Sequence, residues 1–272
     1  MKDGSFLVFR RLRQDVAAFR NFSLGAAATL SSGLARQVSQ GEAEALLVGR
    51  WPDGTPLSAS ASGPNTAVSN DDKRVNNFCY GADTPAVTVS DGGTSRTLPP
   101  VPGDFFGQIC LRFAHVRKVN ARPEITTDQP GITARFQMLR RGVPFGSAFD
   151  TDPSAERGLL FLAYMTSVTE QFRLLNSQWM NNPLAPEPGG PGYYLLVGQH
   201  PTGGTRYCEL KDVIGNLKAR LEAQDVWVIP TGAGSSSHRL SQCLGGYDRV
   251  WLRQTAAELA CATTASDAAS GK

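Results

Sequence analysis

Histidine is the scarcest residue type with useful side-chain chemistry in this chain of 272 residues, which contains 3 of them. His115 lies in the segment FAHVRKVN, with apolar residues before it and basic residues after it. A lone histidine is more often structural than functional, and both interpretations stay open for His115. His200 lies in a glycine-rich loop where we expect it to be exposed, and His238 lies in the C-terminal segment. So few, widely spaced histidines argue against a His-rich zinc site or a binuclear metal site.

A second group with possible chemistry is the arginine pair Arg140 and Arg141, which opens the segment RRGVPFG. Taken alone, this segment is typical of a basic surface turn. The glycine pairs of the chain match neither a dinucleotide-binding fingerprint nor a phosphate-binding loop. The sequence also lacks a GxSxG nucleophile elbow and a cysteine-protease signature. These residues alone therefore support neither nucleotide binding nor hydrolysis by a serine or cysteine.

The charge and the cysteines exclude further classes of protein. The net charge is only +3, and the basic residues are scattered, which argues against a nucleic-acid partner. An odd number of cysteines with no CxxC spacing argues against a disulfide scaffold, and we expect reduced thiols in a cytoplasmic protein. No apolar run reaches the roughly 18 residues that a membrane-spanning helix needs, so no membrane segment is predicted. The 5 cysteines are Cys79, Cys110, Cys208, Cys243 and Cys261.

Hydrophobic periodicity predicts the elements that would position these side chains. Residues 10–40 and 43–48 are predicted to be helical, and residues 50–104 are predicted to be an irregular stretch that wraps or lines something. Residues 167–180 are predicted to form an amphipathic helix. Residues 140–142 are predicted to be a turn, and the final dozen residues to be disordered. The predicted strands are residues 5–9, 133–139, 158–165 and 225–229, and a further helix is predicted over residues 212–224.

The order of several short segments resembles that of the dye-decolorising (DyP-type) haem peroxidase family. Each segment is weak by itself, but this many in the same order are specific. Together they cover about residues 3–232 and are similar to the C-terminal portion of the family fold. The segments are residues 3–16, 48–51, 54–57, 76–78, Cys110, residues 114–120, 140–146, 157–164, 171–172, Trp179 and residues 197–199.

The resemblance implies a role for particular residues. His115 would be the proximal axial ligand of the iron of haem b, and so the residue that binds both the cofactor and its metal. Arg140 would stabilise charge on the distal side as the O–O bond breaks, with Arg141 as the alternative. Leu159 and Phe161 would line the distal pocket and limit the entry of water.

The resemblance also implies fold and activity. The expected fold is α+β, a ferredoxin-like antiparallel sheet with flanking helices. The expected activity is reduction of hydrogen peroxide with oxidation of phenolic or dye-like small-molecule donors, in a possible homo-oligomer. Because no CxxCH segment occurs, the usual covalent attachment of haem is not expected. Electron relay through an aromatic side chain is a further expectation, for which Tyr80, Tyr164, Trp51 and Trp179 are equal candidates. The alternatives are a truncated, non-catalytic remnant that still binds haem weakly, and a non-haem structural or interaction domain.

Three departures from the family pattern qualify these expectations. The family's distal acid–base Asp belongs to an upstream GxxDG motif; Asp3 is not assigned this role, because the residues after it match a later strand. Because this Asp is not found, we expect weak peroxide turnover. The extent of the resemblance predicts that the N-terminal half of the family fold is absent. It also predicts a haem-binding region over residues 1–232 and a divergent, partly disordered tail over residues 233–272. Residues 192–194 (Gly-Tyr-Tyr) stand where the family usually offers an Asp, so no carboxylate partner for His115 is identified.

Overall fold

The computed structural model describes residues 4–91, 93–122, 135–187 and 189–239. Asp3, residues 133–134 and the final dozen residues, on which expectations were placed above, lie outside the described residues. The element order is β1 (Gly4–Gln14), α1 (Val16–Leu34), α2 (Gln40–Val48), α3 (Thr66–Ser69), β2 (Val87–Asp91), β3 (Thr94–Leu98), α4 (His115–Lys118), β4 (Leu139–Phe145), β5 (Gly158–Met165), the π-helix α5 (Val168–Met180), β6 (Arg206–Lys211), β7 (Leu217–Ala223) and β8 (Val228–Arg239).

The main sheet has four strands in the order β4-β5-β1-β8, and every neighbouring pair in it is antiparallel. The pairs β2-β3 and β6-β7 form two smaller antiparallel sheets. Helices and antiparallel strands are thus combined as predicted for an α+β protein. No helix within the described residues is long and apolar enough to cross a membrane.

Strand alternation gives the main sheet two different faces. One face carries Val8 and Ala163, both buried, and is covered by Val168 and Phe172 of α5. This small cluster is separate from the main core, which packs α1 and α2 against the β6-β7 pair and the loops that precede α4. Of the predicted pocket residues, Phe161 packs against the small cluster, whereas Ala114 and Val116, the neighbours of His115, pack in the main core.

The helix boundaries follow local capping chemistry. The Asp15 carboxylate accepts a hydrogen bond from the Ala18 N–H at 2.9 Å, and the Ser39 hydroxyl accepts one from the Glu42 N–H at 3.2 Å. The helix α2 ends at Gly49, whose φ of 90° is in the left-handed region. A Cβ at Gly49 would lie 2.2 Å from Cγ2 of Val116, so glycine also permits α2 to approach the residue after His115.

Several predicted elements are confirmed. The strand over residues 158–165 corresponds to β5, and the helix over residues 167–180 corresponds to α5, which is wound as a π-helix. The strand over residues 225–229 corresponds to the start of β8, which continues to Arg239 and crosses the expected boundary at residue 232. The strand over residues 5–9 is the centre of β1, which extends to Gln14, so the following helix begins at Val16 rather than at residue 10.

Three predictions are wrong in whole or in part. The stretch over residues 50–104 is not irregular throughout, because it contains α3, β2 and β3. Residues 212–224 form a turn and the strand β7, because Ala219, Leu221 and Ala223 are buried alternately against β6 and α1. Good helix formers are overruled here by tertiary packing. The strand predicted over residues 133–139 is also displaced: β4 begins only at Leu139, and the predicted turn at Arg140 lies inside this exposed edge strand.

Candidate functional site

His115 is the first residue of the short helix α4. Its ring is stacked on that of Tyr194, with centroids 5.0 Å apart and planes inclined by 28°. Although the residue is partly exposed, its Nδ1 atom is buried and has no hydrogen-bond partner within the described residues. An unpaired buried ring nitrogen is unusual enough to need an explanation, and it marks His115 as a candidate functional residue.

The helix that carries His115 is anchored by a buried ion network. The Arg117 guanidinium donates to both carboxylate oxygens of Glu187, at 2.5 Å and 3.1 Å. It also donates to the Asp104 carboxylate at 3.2 Å and to the Asp104 backbone oxygen at 2.8 Å. All three side chains are almost wholly inaccessible to solvent. Because charge-assisted bonds are strong and directional, this network fixes the end of α4 against two distant loops.

Lys118 adds a second anchor. Its Nζ donates to the backbone oxygens of Asn182 at 2.9 Å and Gly192 at 2.7 Å, and also to that of Ala185. These three carbonyls belong to the loop that follows α5. The lysine therefore ties α4 to the chain segment that presents Tyr194, and so holds the two stacked rings in register.

The charges around His115 are positive. Burial, followed by the charges of Arg140 and Arg50, lowers the pKa of His115 to about 3. The imidazole is therefore neutral over the physiological range of pH, which is the state that a metal ligand requires. The sign of the surrounding charge also makes the site suitable for an anionic group.

The register of β4 against β5 separates the two arginines predicted from the sequence. Arg140 lies opposite Ala163, so its side chain shares a face with Phe161 and Leu159, whereas Arg141 lies opposite Leu162 on the other face. Arg140 also acts electrostatically on both His115 and Tyr194. The charge of Arg140 therefore acts on His115. Arg140 itself lies on the same face of the sheet as the two predicted pocket residues, Leu159 and Phe161.

The predicted pocket residues are partly buried and supported by α5. Phe161 packs at an angle on Phe172, with ring centroids 6.3 Å apart. Gly142 keeps the neighbouring position small, since a Cβ there would approach a methyl group of Leu159 to 3.0 Å. The Gln171 side-chain amide donates to the backbone oxygen of Gln137, which joins α5 to the segment entering β4.

Two residues of this site were not singled out from the sequence. Arg50 donates to the backbone oxygens of Gly54 at 2.7 Å and Val75 at 3.0 Å, so a loop remote in sequence orients its charge. Arg50 lies within the segment 48–51, which resembles the family, and this resemblance was the only feature of the sequence that could have indicated a role for it. Tyr194 was noted only as part of a departure from the family pattern, and no sequence rule indicates that an aromatic ring will stack on His115.

The other histidines and the aromatic candidates have more ordinary surroundings. The His200 ring lies in a loop and accepts hydrogen bonds at Nδ1 from the backbone of Thr202 and Gly204, which is a loop-capping role. His238 lies in β8 opposite Ser5.

The four candidates for electron relay differ in their surroundings. Tyr80 is fully buried beside Arg117 and Cys110. Trp51 donates to the Ser60 oxygen, and Trp179 packs edge-on against Phe136. Tyr164 lies opposite Leu7 and Leu139.

The cysteines differ from one another. Cys110 and Cys208 are buried free thiols, and burial raises the pKa of Cys110 to about 12. Cys79 is disulfide-bonded, so the expectation of reduced thiols is wrong for this residue.

Comparison with known proteins identifies the class. The family model described as "Dyp-type peroxidase, C-terminal" matches residues 54–187. Over 219 residues the chain is 33% identical to the "Multifunctional dye peroxidase DyP2" of Amycolatopsis sp., with 75% of this chain and 40% of that protein covered. Over 209 residues it is 29% identical to the "Dye-decolorizing peroxidase AauDyP1" of Auricularia auricula-judae, with 72% and 38% covered.

A solved structure agrees with the sequence relatives. The dye-decolorizing peroxidase determined in complex with 2,6-dimethoxyphenol superposes with a TM-score of 0.64 at 27% identity, with 87% of this chain and 50% of that chain covered. The chain therefore belongs to the DyP-type peroxidase family, corresponds to the C-terminal portion of its members and has their ferredoxin-like α+β fold. It spans about 40% of the length of the curated relatives that it matches.

Proposed function

We propose that this chain forms the haem-binding side of a peroxidase that reduces hydrogen peroxide and oxidises phenolic or dye-like donors. The observation that carries the proposal is His115, a neutral imidazole within electrostatic reach of Arg140. Its Nδ1 is buried and has no hydrogen-bond partner within the described residues, and iron would bind the other ring nitrogen. The relatives' names support the oxidation of dyes, and one related structure contains a phenol. Self-association and a cytoplasmic location stay predictions.

The residues present fit haem b. A single imidazole cannot hold an iron ion alone, but it would suffice for iron that a porphyrin already binds, and histidine is the usual protein ligand of the iron in peroxidases. The charges of Arg140 and Arg50 complement the anionic propionates of haem. Leu159 and Phe161 offer apolar surface on the same strand face as Arg140.

The chain's own residues have separate tasks in this proposal. Haem, when bound, supplies the redox-active iron that reacts with hydrogen peroxide. His115 would bind the iron, and the buried network of Arg117 and Glu187 holds the helix α4 that carries His115. Arg140 would stabilise negative charge that develops on the peroxide oxygen, because a guanidinium already placed on this strand face needs little reorganisation during the reaction. Leu159 and Phe161 restrict water around that oxygen.

An absorption titration tests the proposal. Haem is added to the purified chain, to His115→Ala and to His200→Ala, and the Soret band is recorded. We expect a Soret band of the protein-bound form in the wild type and in His200→Ala, and its loss in His115→Ala. Addition of hydrogen peroxide should then change the wild-type spectrum.

Each other outcome has a definite meaning. Equal spectra for all three proteins would overturn His115 as the ligand. A Soret band that depends on His115 but does not respond to peroxide would favour a non-catalytic haem-binding remnant. No Soret band in any protein would favour a structural or interaction domain.

A further inference from the structure

The inference concerns Tyr194 and rests on the proposed haem-binding function. Histidines that ligate metals almost always donate their second ring N–H to a carboxylate, a carbonyl or water, which fixes the ring and raises its basicity. Nδ1 of His115 is buried and makes no such bond within the described residues. The orientation of the His115 ring must therefore come from another contact.

The charged groups near α4 do not supply an acceptor. The groups whose charge reaches His115 are the cations Arg140 and Arg50. The buried carboxylates of this region are committed elsewhere, since both Asp104 and Glu187 bind Arg117. A hydrogen bond from His115 to either of them would compete with the buried arginine.

Tyr194 supplies the missing contact. Its ring is parallel to the His115 ring to within 28° at a centroid distance of 5.0 Å, which is the geometry of aromatic stacking. The ring is 5% exposed, so it has little freedom to leave this position. Because the stack covers one face of the imidazole, it restricts rotation of His115 about its Cβ–Cγ bond.

The backbone of Tyr194 is held as firmly as its ring. Its N–H donates to the backbone oxygen of Met180, the last residue of α5, at 3.1 Å, and its own oxygen accepts from the Gly198 N–H at 2.8 Å. A Cβ at Gly198 would lie 2.4 Å from the Tyr194 oxygen, so this closure requires glycine. The end of α5 therefore sets the position of the stacked ring.

We propose that Tyr194 is the positioning residue of His115: stacking, in place of a hydrogen bond at Nδ1, fixes the plane of the imidazole that ligates iron. The ligand is then an unpolarised neutral imidazole. It donates less electron density to iron than a carboxylate-bonded histidine does. Loss of the Tyr194 ring frees the imidazole plane.

The test compares Tyr194→Phe, which keeps the stack, with Tyr194→Leu, which removes it. Tyr193→Leu is the matched control, because Tyr193 is buried next to Tyr194 but packs on His200 and Tyr207 instead. In the chain without haem, NMR should show ring-current shifts of the His115 ring protons in the wild type, in Tyr194→Phe and in Tyr193→Leu. These shifts should be lost in Tyr194→Leu.

In the haem-loaded chain, the iron–histidine stretching band of the ferrous form is measured by resonance Raman spectroscopy. We expect a low frequency, typical of neutral imidazole, in the wild type and Tyr194→Phe. Tyr194→Leu should show a shifted or broadened band and a haem affinity lower by about 10–100-fold, the usual effect of losing a ligand's orienting partner.

The outcomes separate this inference from the proposed function. A band that depends on His115 but is identical in Tyr194→Leu and the wild type overturns the positioning role and leaves the proposed function standing. A high wild-type frequency, typical of a ring with imidazolate character, also overturns it. Ring-current shifts without any iron–histidine band overturn the proposed function, and with it the role of Tyr194 toward iron.

Discussion

At the scale of single residues, His115 is prepared as a ligand mainly by what surrounds it. Burial and the guanidinium groups of Arg140 and Arg50 lower the pKa of its imidazole to about 3, so no proton competes with a metal at neutral pH. The resemblance of the segments 114–120 and 140–146 was enough to select His115 and Arg140 as candidates. It could not reveal Arg50 or Tyr194 as neighbours, because these contacts join loops that lie far apart in the sequence.

The first prediction at this scale concerns the two adjacent arginines. Arg140→Gln should slow the reaction of the haem-loaded chain with hydrogen peroxide by about 100-fold, the usual effect of removing one preorganised donor. Arg141→Gln is the control, because its side chain lies on the opposite face of β4. Stopped-flow recording of the Soret band after peroxide mixing measures both rates. Equal slowing by both substitutions would contradict the assignment of Arg140.

At the scale of elements, strands with a clear apolar pattern and helices with a clear period were predictable. The strand β5 and the helix α5 were found where the sequence indicated. The segment 212–224 was not, because its Ala, Leu, Glu, Lys and Arg residues favour a helix locally. Burial of alternate residues against α1 decides its structure, and this depends on a long-range contact that local propensity does not contain.

The contact between α1 and β7 gives a prediction with an internal control. A Cβ at Gly33 would lie 2.7 Å from Cβ of Ala219 and 3.3 Å from the Lys218 oxygen, so Gly33→Ala must push the helix off the strand. We expect the free energy of unfolding to fall by about 1–3 kcal/mol. Gly25→Ala, in the same helix with no atom within 4 Å of the added Cβ, should raise it by about 0.5–1 kcal/mol.

Denaturant unfolding followed by circular dichroism measures both free energies. Similar changes of the same sign in the two variants would mean that α1 does not pack against β7 as closely as described.

At the scale of the whole molecule, the buried ion network connects parts of the chain that no local pattern relates. Arg117 and Glu187 are 70 residues apart in sequence, and each is fully buried. Through Arg117 the loop that follows α5 is tied to α4, and α4 carries His115. From the sequence, the segment around Arg117 was noted only for its resemblance to the family, and no ion pair was predicted there. Nothing in the sequence indicated Glu187, because a carboxylate in a Pro/Gly-rich loop ordinarily faces solvent.

The last prediction tests this connection. Glu187→Gln should lower the free energy of unfolding by about 3–5 kcal/mol, because it leaves the buried guanidinium of Arg117 without its closest counter-charge. Glu222→Gln is the control: it removes an ion pair with Arg220 at 2.9 Å in which both side chains are substantially exposed. Its effect should stay below about 1 kcal/mol, because exposed pairs are screened by water and salt. Denaturant unfolding measures both effects. A small effect of Glu187→Gln would mean that Asp104 alone balances Arg117 and that the loop is not a necessary support of α4.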